Sequence, residues 1–188
     1  WQDRRTYNFC SKLKKKGLER IIKYKTGLLL DPYFSSSKIH WILKNIPSAK
    51  RLIKKNRLLF GTIDTFLIWK LTKGKVHATD ATNASRTMLY DIKKNKWDNK
   101  LLKIFEVPHQ ILPSVKNSAD NFGFTDKSVT QKSYSITGVI GDQQAAIIGQ
   151  GCFSRGYTKI TYGTVAFVIM NTGNEQIISK NKLITTIC

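Results

Sequence analysis

The stretch GVIGDQQAA, residues 138–146, constrains the fold more than any other part of the chain. Residues 138–140 predict the end of a buried apolar β-strand, and residues 145–149 predict a small, tightly packing helix. Gly141 lies between them and predicts a tight turn. A strand, a glycine turn and a helix in this order are typical of α/β proteins, which place ligand-facing side chains at such junctions.

Asp142 is the candidate functional residue of this turn. It follows Gly141 at the predicted start of a helix, where the positive end of the helix dipole stabilises a carboxylate. An ionised carboxylate there can accept a proton or a hydrogen bond from a substrate hydroxyl. Asp is also a good helix cap, and the sequence alone does not decide between the two roles. Gln143 and Gln144 favour a ligand-facing turn, because two adjacent amides suit a polyol and have no obvious core role.

A second candidate element follows at Thr161-Tyr162-Gly163-Thr164. Gly163 lets the backbone approach phosphate oxygens, and the Thr164 hydroxyl adds a hydrogen-bond donor. By itself this tetrapeptide is more typical of an ordinary β-turn. Its position after the turn at Asp142 gives it weight, and the two elements together predict a base aimed at a small polar substrate beside a nucleotide.

The net charge of +20, from 32 basic and 12 acidic residues, opens a second class of function. A basic nucleic-acid-binding module would carry such an excess. Lysine, however, occurs in nearly every polar segment, whereas a specific binder concentrates arginine and exposed aromatic residues in one element. The charge therefore favours solvated lysine-rich faces, whose positive field also attracts an anionic nucleotide.

Composition predicts a folded chain without a membrane span or a metal centre. Hydrophobic residues make up 41% of the 188 residues, which is enough for a substantial core. No apolar run approaches the roughly 20 residues of a membrane helix. The cysteines and histidines lack metal-site spacing. Because the chain starts without methionine and ends inside an apolar run, we expect it to be the central part of a longer protein.

Apolar periodicity and turn residues predict helices first and strands later. Helices are predicted at residues 4–25 with a break at Gly17, then at 38–46, 49–56, 62–71 and 98–105. The serines at 35–37 predict a cap for the second helix. Residues 76–92 predict extended, turn-rich structure, and residues 117–135 predict a polar linker. A domain change is predicted near Gly151, followed by strands near 157–162, 165–171 and 183–187.

Several specific motifs occur in a fixed order along the chain. They are WQDRRT (1–6), DPYFSSSKIHWILKN (31–45), LFGTIDTFLIWKL (59–71), TNASRT (82–87) and GDQQAA (141–146). With these motifs the chain resembles the FGGY carbohydrate kinase family essentially from end to end, and within that family the kinases that act on glycerol.

The resemblance implies a two-domain fold of the actin-like ATPase (ribonuclease H-like) type, in the α/β class, with a cleft between the domains. Residues 1–151 would be the later part of the first domain, on the glycerol-binding side. Residues 152–188 would begin the second domain, on the nucleotide-binding side. The resemblance also implies a cytoplasmic protein that forms a dimer or tetramer and binds no specific nucleic acid.

The implied reaction is transfer of the γ-phosphoryl group of ATP, with Mg²⁺, to the 3-hydroxyl of glycerol. In the family pattern Asp142 matches the base that takes the hydroxyl proton. Tyr33 and Gln143 match residues that hydrogen-bond the glycerol hydroxyls, and Trp1 and Phe167 match the aromatic walls around its carbon skeleton. Another sugar kinase of the family, such as a pentulose kinase, is the alternative.

On the nucleotide side, Gly163 and Thr164 match a phosphate contact that opens the second domain. The family's phosphate loop, its Arg-Glu pair for glycerol and its adenosine pocket have no counterpart in these 188 residues. A glycine-rich effector loop found in bacterial relatives is replaced here by residues 127–133, KSVTQKS, which have neither its glycines nor its arginine, so the resemblance does not extend to that regulation. Val165 replaces a glycine that is common at this position and is expected to stiffen the loop.

Overall fold

The computed structural model describes residues 2–163 and 165–188. The α-helices of these residues are α1 (Tyr7–Lys15), α2 (Glu19–Thr26), α3 (Ser35–Asn45), α4 (Pro47–Lys54), α5 (Ile63–Leu71), α6 (Ala81–Ala84), α7 (Asn99–Phe105), α8 (Lys127–Thr130) and α9 (Asp142–Gly149). Short 3₁₀ turns occupy Ser85–Thr87 and His109–Ile111. Of the helices described, none combines the length and the apolar character that crossing a membrane requires.

The strands are β1 (Ala78–Asp80), β2 (Tyr90–Asp91), β3 (Lys96–Trp97), β4 (Ser114–Lys116), β5 (Thr158–Tyr162) and β6 (Ala166–Met170). β1 pairs in parallel with β4, so the connection between them must cross over through the intervening helices. β2 and β3 form one antiparallel pair, and β5 and β6 form another. Parallel and antiparallel strands mixed with helices confirm the predicted α/β class.

One apolar core joins α1, α2, α3 and α7. Its buried members include Leu13, Ile22, Leu43 and Phe105, and each such side chain stabilises the fold by about 1.5–3 kcal/mol. Gly17 has a φ of +73° and separates α1 from α2, which confirms the predicted break. The core thereby fixes α3, whose first turn follows the candidate ligand-binding Tyr33.

The serine run before α3 has a different role from the one predicted. Phe34 is the N-cap residue, and the serines form the first turn of the helix without capping it. Ser36 and Ser37 are buried, and the Ser37 hydroxyl shares a 2.8 Å hydrogen bond with the Thr6 hydroxyl. The prediction of a serine cap was therefore wrong, because the helix begins at Ser35, and the Ser37 hydroxyl contacts the residue preceding α1 instead.

Asp80, the last residue of β1, is completely buried, with 0% of its surface exposed. Its carboxylate accepts hydrogen bonds from the backbone N–H groups of Thr82 (3.2 Å) and Asn83 (3.0 Å). It also accepts from the side chains of Thr82 (2.6 Å), Asn83 (2.8 Å) and Ser118 (2.7 Å). Asp80 thus caps α6. The chain turns helical directly after β1, so the extended structure predicted for residues 76–92 holds only in part.

Residues 138–140 form no strand and are not fully buried, so that prediction was also wrong. Val139 donates its N–H to the Ser118 carbonyl at 2.8 Å, and Gly138 makes an isolated bridge with Ala119. These contacts hold the segment in place, but no neighbouring strand continues them into a ladder. The predicted turn after the segment and the predicted helix α9 are both present.

Thr82 connects the Asp80 carboxylate to the turn before α9. Its hydroxyl donates to Asp80 Oδ2 and accepts the N–H of Gly141 at 2.8 Å. A hydroxyl can do both at once because it has one proton and two lone pairs. The start of α9 is consequently tied to the end of β1.

The C-terminal segment, predicted as a strand at residues 183–187, forms none in the structure. It crosses the helical part instead, where Thr185 donates its N–H to the Gly27 carbonyl at 2.9 Å. The Thr186 hydroxyl shares a 2.9 Å hydrogen bond with the Ser85 hydroxyl. The segment is held by single contacts to several elements, which do not make the regular ladder of a strand.

Gly27 and Gly17 provide a matched test of this packing. Both have positive φ, +71° and +73°, but an added Cβ at Gly27 would clash with the Thr185 carbonyl oxygen, whereas at Gly17 it would meet nothing within 4 Å. We expect Gly17→Ala to lower the free energy of unfolding by about 1–2 kcal/mol, the cost of a left-handed conformation. Gly27→Ala should cost about 1–3 kcal/mol more. Urea denaturation measures both, and equal losses would contradict the contact.

Thr82 and Thr87 test the connection to the turn. Both hydroxyls are buried, and each donates one hydrogen bond and accepts one backbone N–H. Thr82→Val and Thr87→Val should each lower the free energy of unfolding by about 1–3 kcal/mol, since each leaves buried polar groups unpaired. Only Thr82→Val should accelerate hydrogen exchange at the Gly141 amide. Unchanged exchange there would show that the turn is held by other contacts.

Candidate active site

The candidate site is built around the first residue of α9. Gly141 is the N-cap, with extended backbone angles, and Asp142 is the first residue of the helix. Asp142 Oδ1 accepts the N–H of Gln143 at 2.8 Å, and Oδ2 accepts from the Gln143 amide nitrogen at 3.2 Å. The carboxylate therefore satisfies one free N–H of the first turn and remains exposed to solvent. It is available to a ligand while contributing to the helix terminus.

Gln143 connects Asp142 with a buried cation. Its side-chain oxygen accepts a 2.5 Å hydrogen bond from Lys159 Nζ, which also donates to the Thr161 hydroxyl at 2.8 Å. Lys159 is only 1% exposed. The amide thus has one end on the carboxylate and the other on the ammonium group, so its orientation is fixed.

Gln144 does not share the ligand-facing position of its neighbour. It is 3% exposed, and its amide nitrogen donates to the Ile187 carbonyl at 3.0 Å and to the Thr186 hydroxyl at 3.3 Å. An added Cβ at Gly141 would lie 2.6 Å from the Gln144 side-chain oxygen. The expectation that both amides face a polyol is wrong for Gln144, which has a packing role that depends on the distant C-terminal segment.

Arg86 lies beside the ring of Phe34, the neighbour of Tyr33. Tyr33 is 42% exposed, and its ring meets that of Phe34 edge-on with centroids 5.0 Å apart. The Arg86 guanidinium carbon lies 5.3 Å from the Phe34 ring centroid. Burial lowers the pKa of Arg86, while Tyr33 and the charge of Asp142 act in the opposite direction. Both predicted site residues are therefore close enough to influence the same guanidinium.

Phe167 lies on the face of the β5–β6 hairpin that carries Lys159. It pairs with Thr161 in the antiparallel register, and directly paired residues project to the same face. Along β5 that face is the less exposed one, with Lys159 buried and Thr161 half-buried. Because Lys159 reaches Gln143 from this face, the structure brings Phe167 to the side of the hairpin that meets α9.

Gly163 lies in the turn between β5 and β6. Its N–H donates to the Val165 carbonyl at 3.3 Å, and an added Cβ would meet no atom closer than that oxygen at 3.9 Å. The space around the backbone is thus open to a ligand. Thr164 and Trp1, the other two predicted contact residues in this chain, lie outside the described residues.

This arrangement suits proton transfer from a hydroxyl next to an anion. Asp142 supplies an exposed acceptor at the positive end of a helix. Arg86 and Lys159 place positive charge around it, which favours binding of a negatively charged group. Among the described residues, these three side chains form no ion pairs with one another, so their charges remain available to a ligand.

Three further residues of the site, Asp80, Arg86 and Lys159, were not predicted from the sequence. The first two left usable signals, since Asp80 begins the pattern Asp-Ala-Thr-Asn, typical of an Asx turn, and Arg86 stands inside the TNASRT motif. Lys159 left none. A lysine in an alternating strand pattern predicts a solvent-facing position, and only the packing of β5 against α9 buries it.

Comparison with known proteins identifies the family. Residues 1–149 match the model of the N-terminal domain of the FGGY family of carbohydrate kinases. The chain is 57% identical over 187 residues to the glycerol kinase of Rhizobium meliloti (strain 1021) and 54% identical to that of Clostridium botulinum (strain Langeland). Each alignment covers 100% of this chain and 38% of the relative, so the chain spans little more than a third of their length.

Solved structures agree with this assignment. The crystal structure of Plasmodium falciparum glycerol kinase with ADP superposes with a TM-score of 0.93 at 42% identity, covering 99% of this chain and 37% of that one. A ligand-bound xylulose kinase from Lactobacillus acidophilus gives a TM-score of 0.76 at 22% identity over 88% of this chain and 34% of the other, which is evidence of a shared fold. These neighbours confirm the predicted actin-like ATPase fold type, and with the family match they show that the chain belongs to the FGGY family of carbohydrate kinases.

Proposed function

We propose that this chain is part of a glycerol kinase, which transfers the γ-phosphoryl group of ATP to the 3-hydroxyl of glycerol to give sn-glycerol 3-phosphate. The observation that carries the proposal is the exposed Asp142 carboxylate, held by Gln143 at the start of α9. Identity of 51–58% to glycerol kinases along the chain supports glycerol as the acceptor.

Asp142 acts as the base for the glycerol hydroxyl. Phosphoryl transfer passes through a loose transition state, so catalysis depends mostly on positioning and charge stabilisation. The base needs to orient the hydroxyl and accept its proton as the new O–P bond forms, and a carboxylate at a helix start is sufficient for this. Arg86 contributes positive charge near the reacting oxygens.

Glycerol lies between polar and aromatic contacts. Gln143 and Tyr33 hydrogen-bond its hydroxyls, and Phe167 and Trp1 pack against its carbon skeleton. The exposed Tyr33 ring and the placement of Phe167 on the hairpin face towards α9 support this assignment. Small polyols are bound in this way because each hydroxyl needs a partner while the carbons need an apolar surface.

ATP binds beside the β5–β6 turn, with Gly163 and Thr164 at its phosphates. We divide the chain into residues 1–151 on the glycerol side and 152–188 on the nucleotide side, a division supported by the end of the family match at residue 149. Mg²⁺ enters with the nucleotide as part of the MgATP substrate. The described residues contain no group of three or more His, Cys, Asp or Glu side chains that could hold a metal ion by themselves.

The enzyme is proposed to be a cytoplasmic homo-oligomer, a dimer or tetramer, with glycerol and ATP as its partners. We assign the net charge of +20 to solvated lysines and to attraction of the nucleotide, with no specific nucleic-acid partner. This chain alone should be inactive, since the family's phosphate loop and Arg-Glu pair are not among its residues.

Asp142→Asn tests the proposed base in the full-length protein that contains this chain. We expect kcat for ATP-dependent formation of glycerol 3-phosphate to fall by about 10²- to 10⁴-fold, the usual contribution of a general base. Asp126→Asn is the matched control, since Asp126 caps α8, which packs on α5. It should leave kcat unchanged. An Asp142→Asn variant with the kcat of the unsubstituted protein would exclude Asp142 as the base.

Tyr33→Ala and Phe167→Ala test the choice of substrate. Each should raise KM for glycerol by about tenfold or more, since each removes a direct contact, and Tyr134→Ala, at an exposed loop position, should not. Steady-state kinetics with glycerol and with a pentulose measures the preference. If the full-length protein phosphorylates the pentulose and ignores glycerol, it is another sugar kinase of the family.

A further inference from the structure

Lys159 is unusual among the lysines of this chain. It lies on β5, its side chain is only 1% exposed, and it is among the largest fully buried side chains. Burying an ammonium group is costly unless its three donors find partners. A lysine in this position is therefore expected to have a specific role for its charge or its hydrogen bonds.

The partners of Lys159 are neutral. Its Nζ donates to the Gln143 side-chain oxygen at 2.5 Å and to the Thr161 hydroxyl at 2.8 Å. Among the described residues no carboxylate forms an ion pair with it within 4 Å. Lys25 differs in this respect, because its ammonium group pairs with Asp91 and Asp98. The shorter of its two hydrogen bonds is the one to the Gln143 amide, which also contacts Asp142.

This contact determines which end of the Gln143 amide faces Asp142. An ammonium group can only donate hydrogen bonds, so it selects the amide oxygen. The amide nitrogen is then directed to Asp142 Oδ2, at 3.2 Å. With the amide reversed, its oxygen would face the carboxylate and no hydrogen bond could form.

We infer that Lys159 is a positioning residue for phosphoryl transfer: by fixing the amide of Gln143 it holds the Asp142 carboxylate in its productive orientation. The inference rests on the proposed function of this site. It joins the two sides of the site, because Lys159 comes from the hairpin after residue 151 and Gln143 from α9 before it. The Asp142 carboxylate would thus be held in this orientation only when β5 is packed against α9.

The first test is Lys159→Met in the full-length protein, assayed for glycerol phosphorylation. We expect kcat to fall by about 10- to 100-fold, as for loss of a hydrogen bond that involves a charged group, with KM for ATP changed less than threefold. Lys23→Met is the matched control, since Lys23 also donates to a neutral oxygen, the Ser179 carbonyl at 2.7 Å. It should leave kcat unchanged. Wild-type kcat in Lys159→Met would overturn the inference.

The second test asks whether Lys159 acts through Gln143. In a double-mutant cycle, Lys159→Met should lower kcat by less than twofold once Gln143→Leu is present, because no amide remains to be oriented. A purely structural effect of Lys159 would instead multiply with that of Gln143→Leu. Independent, multiplying effects would overturn the inference.

A third variant covers the case in which Lys159→Met does not fold. Gln143→Glu keeps an acceptor for Lys159 and forms an ion pair with it, but it removes the donor to Asp142 and places a second carboxylate there. We expect the thermal midpoint to stay at or above that of the parent protein while kcat falls at least tenfold. A midpoint as low as that of Gln143→Leu would show that Lys159 is not the partner.

Assays of the parent protein, the full-length protein without substitutions, distinguish a failure of this inference from a failure of the proposed function. If the parent fails to phosphorylate glycerol, the proposed function is wrong, and the stability difference between Gln143→Glu and Gln143→Leu still tests the Lys159 contact. If the parent is active and the cycle shows multiplying effects, the proposed function stands and the positioning role of Lys159 is wrong.

Discussion

The candidate site depends on the hydrogen bonds that the buried carboxylate of Asp80 accepts. Five hydrogen bonds from Thr82, Asn83 and Ser118 compensate its charge, which makes burial tolerable in a position with no exposed surface. They join the end of β1, the start of α6 and the loop that carries Ser118. Through the Thr82 hydroxyl the same group reaches Gly141, so the turn before Asp142 has a fixed point of attachment.

The electrostatics of the site follow from where its charges are buried. Asp142 is exposed, whereas Lys159 is fully buried and Arg86 is half-buried. A charge held away from water keeps more of its field, because solvent screens it less. The site therefore presents an open carboxylate inside a positive surrounding, which suits a hydroxyl substrate and a polyanionic phosphate donor. Most of the other lysines contribute to the net charge of +20 without entering this arrangement.

Local patterns predicted the elements that depend on neighbouring residues. The break at Gly17 and the helices α5 and α7 are present, and Asp98 caps α7 through the N–H of Leu101 at 2.9 Å. Each of these features needs only a glycine, a cap or an apolar stripe within one turn of chain. The predicted strands at residues 138–140 and 183–187 failed, since a strand needs a distant partner that local sequence does not reveal. The predicted serine cap failed because α3 already begins at Ser35, which places the serines inside its first turn.

The sequence alone determined the family, the α/β class and the identity of Asp142 and Gln143 as the centre of the candidate site, because ordered motifs and a glycine turn before a helix are properties of the chain itself. Only the tertiary structure decided that Gln144 packs against the C-terminal segment, that Arg86 lies near both Tyr33 and Asp142, and that Lys159 is buried against Gln143. The alternation of a strand fixes which residues share a face, but the partner that covers the face decides which one is buried. Here that partner is α9, and its packing on β5 makes Lys159 a neighbour of the site.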